Sequence, residues 1–388
     1  MCKAKIVDFY SIKSFHEMFN FSLILMCSKI FSHVKVVLGK TAYENMLLLA
    51  RNNVIDIPPN ISICVRSVCE KDTQWGALIR TFMGGFRVLK EYLFLSYNTT
   101  FVLNYSNVFS FPFLLVVNRF LKRKVLITFH GDLELLATSG ISKSKPSFWY
   151  ASIYKWSFLH LLPASNSKIL VLGEAIKENL LKLYPCIEHA IISINHPYIF
   201  TNGSECSNKT NALTIGILGR LDEKRGLSQL LYLAKHFERQ IFSGQLIFKS
   251  IGGKPHDINI DDWKCIEWGT EQTMARNDFE KQVATVDYIL CLYPVSSYKF
   301  TASGVTMDAL RFLKPIIALR NNYIKSLIEE YKIGFVVDTL EEIVDVINEE
   351  LCHKTSLAMF NQELLRMRNV FSVSYNTQLL KVGLNERN

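Results

Sequence analysis

The sequence predicts two doubly wound α/β domains joined by one linker. Three observations predict it. Short apolar runs with little polar alternation, such as "VKVVLG", "KILVLG" and "PIIALR", recur between helix-like stretches, as strands of a parallel sheet covered on both faces do. The alternation breaks once, at "TNGSECSNKTN" (201–211), a polar stretch of small residues that reads as a linker. With 388 residues, 49% of them apolar and 20% charged, the chain can bury two cores of ordinary size.

The elements follow in order. In the first half "KIVDFYSI" reads as a strand, residues 16–31 as a helix, and "VKVVLG" and "ISICVRSV" as strands. Trp75–Leu95 reads as a helix, "TFVLNYSN" as a strand, 109–121 as a helix, and "KVLITFHGD" as a strand running into a polar loop. A long helical stretch, the strand "KILVLG", the helix "EAIKENLLKLYP" and "AIISINHPY" complete a domain over 1–200. A second domain over 212–370 alternates "ALTIGILG", "GQLIFKSIG", "CIEWG", "VDYILCLYP", "PIIALR" and "GFVVD" with helices, and a helical segment closes the chain over 371–388. Strands of such domains point their C-terminal ends at a shared cleft, the natural place for a ligand.

Composition narrows the function classes. No run reaches the roughly 18–20 apolar residues that span a bilayer. The start enters a strand directly, without the regions of a signal peptide, so a cytoplasmic protein is expected. The nine cysteines are scattered, odd in number and mostly inside apolar runs, which reads as free thiols. A net charge of +9 favours anionic partners, nucleotides or phospholipid head groups above all. Without a zinc finger, an RNA-recognition signature or an arginine-rich arm, nucleic acid is not expected.

The most informative stretch is "ILGRLDEKRGLSQLL" (217–231). Gly219 ends a strand and allows a tight turn. The helix starting near Gly226 directs unpaired N–H groups and a positive dipole end at the same spot. Arg220, with Arg225 or Lys224, adds cationic donors that grip phosphate oxygens. A solvated, charged turn would have the same composition.

These residues resemble the glycine-arginine-leucine, then basic-glycine, signature of nucleotide-sugar glycosyltransferases with the GT-B fold, especially the large retaining family 4. The resemblance implies two Rossmann-like domains facing across a cleft, with the donor diphosphate held by Arg220 and Arg225, or Lys224. It extends to "YKFTASGVTMDALRFLKPIIAL" (298–319), where Ser303, Gly304 and Val305 open a helix that can approach the donor, Ser303 as its cap. There the family usually carries two glutamates eight positions apart; Asp308 matches the one that contacts the nucleotide ribose, and Phe300 stands where the sugar-binding one is expected. In "ITFHGDLELL" the resemblance makes His130 the polar group nearest the chemistry, with Asp132 and Glu134 beside it; Glu134 reads equally as a solvated helix residue. It implies acceptor contacts from His16 and Glu17 in "SIKSFHEMFN", which read equally as an ordinary helix start, and a base contact from Glu271, which reads also as a plain loop residue. His196 in "INHPY" reads either as structural or as cleft-lining.

No metal is expected, because "DD" at 261–262 lacks the strand-end Asp-X-Asp arrangement, and no cofactor, since a nucleotide sugar is a substrate. The function implied is transfer of a sugar from a nucleotide diphosphate sugar to a carbohydrate or lipid-linked glycan acceptor, in bacterial surface polysaccharide assembly. A non-catalytic subunit of the same fold and a nucleotide-sugar epimerase are the rivals. "FSFPFLLVVNRFLKRK" ends in Arg119, Lys122, Arg123 and Lys124, and Arg87 and Lys90 precede it. Basic residues bordering apolar ones suit peripheral contact with the inner face of a membrane, or a core helix with a solvated end.

Overall fold

The apolar runs become thirteen strands in two parallel sheets, among the residues that the computed structural model describes: 2–12, 16–71, 73–137, 142–200, 212–255, 258–270, 274, 276–295, 297–353 and 357–385. Packing divides the chain into two units. One holds Met1–Ile199, Phe300–Ala302 and Phe371–Asn388; the other holds Phe200–Lys299 and Ser303–Val370. The expected linker, 201–211, lies outside the described residues.

In the first unit the order is β1 (Lys3–Asp8), α1 (Glu17–Ile30), β2 (His33–Gly39), α2 (Lys40–Asn52), β3 (Ile61–Arg66), α3 (Gln74–Leu93), β4 (Thr99–Leu103), α4 (Ser110–Leu121) and β5 (Val125–Thr128). There follow α5 (Pro146–His160), β6 (Ser167–Val171), α6 (Glu174–Leu183) and β7 (Ile191–Ser193). The long helical stretch expected after "KVLITFHGD" is a 3-10 turn at Gly131–Leu136 and then α5. Residues 40–52, given no element above, form α2, whose Met46, Leu49 and Ala50 are buried at helical spacing.

The seven strands run β3-β2-β1-β4-β5-β6-β7, all pairs parallel, so the order reverses between β1 and β4. Strand β4 is buried along its whole length, as a central parallel strand should be. Each fully buried apolar side chain there contributes about 1.5–3 kcal/mol. Helix α3 carries Gly84 and Gly85 in its interior, which costs roughly 1 kcal/mol each. Close approach is what they permit: a Cβ on Gly85 would lie 2.6 Å from the Phe109 ring and 2.8 Å from Asn107.

The second unit begins with β8 (Leu213–Leu218), α7 (Leu227–His236), α8 (Glu238–Phe242), β9 (Leu246–Ile251), β10 (Ile266–Glu267), α9 (Arg276–Ala284) and β11 (Tyr288–Cys291). It continues with α10 (Gly304–Arg311), β12 (Ile316–Leu319), α11 (Asn322–Tyr331), β13 (Gly334–Val337), α12 (Leu340–His353) and α13 (Leu357–Phe371). Its order, β10-β9-β8-β11-β12-β13, repeats the first sheet and reverses between β8 and β11. The last helix, α14 (Val373–Asn385), belongs to the first unit, where it packs on α1 and β7. A Cβ on Gly383 would meet Ile192 at 2.7 Å, so glycine sets that distance.

Candidate functional site

A reversal of strand order leaves a crevice at the C-terminal ends of the two strands that part. Each unit has one, and the residues singled out above gather at them.

In the first unit Asp8, at the end of β1, accepts the N–H groups of Tyr10 (3.0 Å) and Ser11 (2.9 Å) and the Asn104 amide (2.9 Å) from beyond β4. That ties both strand ends together and turns the chain sharply after β1. Beyond it the rings stack in series. Tyr10 lies on Tyr105 at 4.5 Å between centroids, Tyr105 on His130 at 5.4 Å, and His130 on His16 at 4.4 Å. Phe19 of α1 stands edge-on to His130 (4.5 Å) and to His196 (5.4 Å). His130, His16 and His196, distant in sequence, are therefore one group, which answers the alternative for His196: it packs against the ring that supports His130.

Burial sets the chemistry of this group. His130 is 4% exposed, and desolvation, then the neighbouring His16 and His196, hold its pKa well below the usual histidine value. Burial lowers His16 and His196 each to about 4. At neutral pH His130 is uncharged, and among the described residues its buried Nε2 has no partner. Such a nitrogen can exchange a hydrogen bond with a ligand hydroxyl; it cannot serve as a fixed cation.

Asp132 accepts the hydroxyls of Tyr105 (2.9 Å) and Ser106, and burial raises its pKa to about 6 despite them. Glu134 is no solvated helix residue: it accepts the N–H of Phe300 at 2.9 Å, and the Phe300 ring is buried. Glu17 lines a pocket with Asp8, Asn20, Asn45 and Asn104, while His16, in a left-handed conformation (φ 52°), holds the N-cap position of α1 without a side-chain capping bond.

In the second unit Gly219 follows β8 with φ 88°, and a Cβ on it would lie 3.5 Å from Arg225 Nη1. Gly226, with φ 91°, opens α7, and a Cβ there would fall 2.3 Å from the Leu292 Cβ and 2.5 Å from its carbonyl oxygen, just past β11. Only glycine fits that contact, which seats the N-terminus of α7 against the strand end. Arg220, Lys224 and Arg225 are exposed, and Arg225 donates to the Arg220 carbonyl at 2.9 Å, folding its guanidinium back over the turn. Its charge acts on the phenols of Tyr293 and Tyr298, whose rings lie 4.6 Å apart. Ser303 approaches the Tyr298 phenol closely enough to favour its ionised form, short of a well-formed hydrogen bond. Arg225, Tyr298 and Ser303 thus form one neighbourhood.

At α10 one expectation changes. Ser303 occupies the N-cap position, but its side chain makes no capping bond. Asp308 is engaged at 2.7 Å by Arg276, which also holds Glu280 at 2.7 Å, and Arg311 joins Glu280 at 3.2 Å. Gly304 is exposed with open space where a Cβ would stand, and Val305 beside it is half-buried. Glu271 lies outside the described residues.

By sequence the chain matches no family model and no curated protein. By structure it is similar to HepE of Anabaena in complex with UDP and glucose, at 14% identity and a TM-score of 0.63 over 100% of both chains. It is similar to WaaG, a glycosyltransferase involved in lipopolysaccharide biosynthesis, at 10% identity and a TM-score of 0.64, over 99% of this chain and 100% of that one. A TarM variant of S. aureus in complex with fondaparinux, alpha-GlcNAc-glycerol and UDP gives 12% identity and a TM-score of 0.68 over 100% of both. The fold is GT-B. In this GT-B chain the histidine group sits at the crevice of the first sheet and the arginine turn at that of the second. Sequence reasoning missed Tyr10, Tyr105 and Tyr293, whose only signal was their position just past strand ends, and Tyr298 and Arg276, which carry none.

Proposed function

We propose that this GT-B chain is a glycosyltransferase that moves a sugar from a nucleotide diphosphate sugar to a carbohydrate or lipid-linked glycan acceptor. The observation that carries the reading is the turn after β8. Three exposed basic side chains, Arg220, Lys224 and Arg225, surround a helix N-terminus that Gly226 seats against the strand end. That arrangement suits a diphosphate, since charge-assisted donors and the helix dipole act on the same oxygens. The bound UDP of HepE and of TarM agrees with it.

In the reaction the bond from the sugar C1 to the β-phosphate oxygen breaks, and a bond from C1 to an acceptor hydroxyl oxygen forms. Negative charge grows on the departing diphosphate, where Arg220 and Arg225 stabilise it. The acceptor proton leaves with the diphosphate or to water. His130, neutral and with a free ring nitrogen, orients a hydroxyl of donor or acceptor, and His16 and Glu17 border the acceptor. Retention at C1 and independence of metal belong to the same reading, as does bacterial surface polysaccharide as the product. The protein would work in the cytoplasm, peripherally at the inner membrane surface.

Calorimetric titration with UDP and with uridine tests it. Arg220→Ala and Arg225→Ala should each weaken UDP by roughly ten- to a hundredfold, the loss of one charge-assisted bond, and leave uridine nearly unchanged. Equal losses for both ligands would make the arginines structural. Incubation with donor sugars completes the test: released UDP supports transfer, an isomerised donor supports an epimerase, and neither supports a silent subunit.

A further inference from the structure

Helix α3 is amphipathic the wrong way out. Its inner face, with Arg80, Thr81, Gly84, Gly85 and Val88, is buried, while Trp75, Phe82 and Phe86 of its outer face are exposed to 77%, 49% and 61%. On neighbouring α4, Phe113 and Phe120 are exposed to 53% and 77%. Phe109 joins the two helices, its ring 5.2 Å from Phe82, 4.8 Å from Phe86 and 5.7 Å from Phe113. An aromatic face across two helices is larger than the scattered apolar residues of an ordinary surface. Lys90, Arg119, Lys122 and Lys124 border it, exposed. Against them the two helices hold one acid, Glu91, which is paired with Lys5. An aromatic face ringed by cations is complementary to an anionic leaflet.

At the edge of this face lies an open cavity lined by Phe9, Cys69, Ile79, Arg80, Met83 and Arg87. Ile79 and Met83 belong also to the exposed side of α3, so the cavity opens beside the aromatic face. Arg80 is 6% exposed; its guanidinium donates to the carbonyls of Cys69 (3.0 Å) and Lys71 (2.7 Å), and its Nε is buried with no partner. Arg87 donates to the Ser67 carbonyl. Among the described residues no carboxylate pairs with either arginine. Among the described residues the Arg80 guanidinium is met by carbonyls and by the Tyr10 ring, and an anion in the cavity would neutralise its charge.

We infer that this cavity receives the phosphate group of a membrane lipid while the α3–α4 face rests on the bilayer. A phosphate fits the donors, since a guanidinium offers paired N–H groups to two oxygens and two arginines converge here. The lipid source follows from where the cavity opens. Arg80 also lies over the Tyr10 ring, 5.8 Å from its centroid, and Tyr10 begins the stack that ends at His130 and His16. A lipid phosphate in the cavity would therefore sit one ring from the series that leads to the candidate acceptor site. The inference deepens the membrane part of the proposed function and needs no turnover to be tested.

The test is co-sedimentation with phosphatidylcholine vesicles, plain, doped with phosphatidic acid, or doped with oleate to the same charge. The wild type should prefer phosphatidic acid to oleate and bind plain vesicles least. Arg80→Gln should weaken binding to the phosphatidic acid vesicles roughly ten- to a hundredfold and Arg87→Gln about fivefold, each erasing the preference over oleate. Phe86→Ser on the open surface should weaken both anionic vesicles alike. Should Arg80→Gln not fold, Arg87→Gln decides alone. Equal binding to phosphatidic acid and oleate vesicles by the wild type, or unchanged preference in the variants, would overturn the cavity as a phosphate site. Absence of vesicle binding, with Arg87-dependent stabilisation by glycerol 3-phosphate, would make it a site for soluble anions and overturn the lipid claim. Calorimetry with UDP on the same variants should be unchanged, which separates failure here from failure of the donor reading.

Discussion

The two crevices occupy the same place in two sheets of the same strand order, yet they are made of opposite materials. That of the first unit is packed with rings, two tyrosines and three histidines, and burial keeps the histidines uncharged. That of the second is open and cationic, a turn whose shape is set by backbone and whose arginines stand in water. Under the proposed function each crevice suits the group it would hold. A leaving diphosphate needs charge, which exposed arginines supply without desolvation cost. A hydroxyl that must be aligned needs a fixed neutral partner, which burial supplies.

The largest effect expected from breaking this contrast is in the backbone of the second crevice. Gly226→Ala forces a left-handed residue and drives a Cβ to 2.3 Å from Leu292. Strain of about 1–2 kcal/mol and overpacking of about 1–3 kcal/mol should together remove around 3 kcal/mol or more of stability. Gly219→Ala has a similar φ, 88°, but only the flexible Arg225 tip nearby at 3.5 Å, so only the strain term should appear. Urea unfolding of the pair measures it; equal losses would mean that the Leu292 contact does not position α7.

The counterpart in the first crevice is a side chain. His130→Ala should lower turnover about a hundredfold, the cost of one preorganised hydrogen-bond partner, with UDP affinity nearly unchanged. Because His130 is neutral, His130→Gln should recover part of the turnover, which a charged imidazole would not allow. Wild-type turnover in His130→Ala would take this residue out of the site.

How much could be read beforehand differs between the crevices for the same reason. "GRLDEKRG" is local: a strand end, two glycines and three cations within one turn state their geometry in sequence order. The apolar runs were equally local, and nearly every strand follows from them. The histidine group is not local, for residues 16, 130 and 196 meet only through the parallel sheet, and no spacing announces it. Nothing in the sequence of the helix at 75–95 singles out Arg80, yet the Gly84–Gly85 pair draws α3 so close that the arginine is buried. Asp308 illustrates the converse: its place on α10 was legible, whereas its partner Arg276 comes from a separate helix. Helix α2 was overlooked although Met46, Leu49 and Ala50 have the right period, because only three buried residues mark it.

The smallest effect concerns protons and tests whether the first crevice is neutral. His16 and His196 titrate near 4 in the folded chain, and His130 well below the usual value, whereas the unfolded chain takes up these protons near 6.5. Between about pH 6.5 and 4 the unfolded state therefore binds more protons on histidine, and stability falls as pH falls. Asp132 acts in the opposite sense, since its folded pKa of about 6 lies above the unfolded value and it favours folding in acid across the same window. Three histidines oppose one carboxyl, so within this group the net slope keeps the histidine sign. His196→Gln removes one of the three without adding charge. Its stability should fall less steeply on acidification than that of the wild type, by at most about 1.4 kcal/mol per pH unit, one proton's share. Urea midpoints at pH 5 and pH 6, converted with the m-value of each protein, give the slopes. Identical slopes would mean that His196 takes its proton without unfolding, and that the first crevice admits this charge despite its burial.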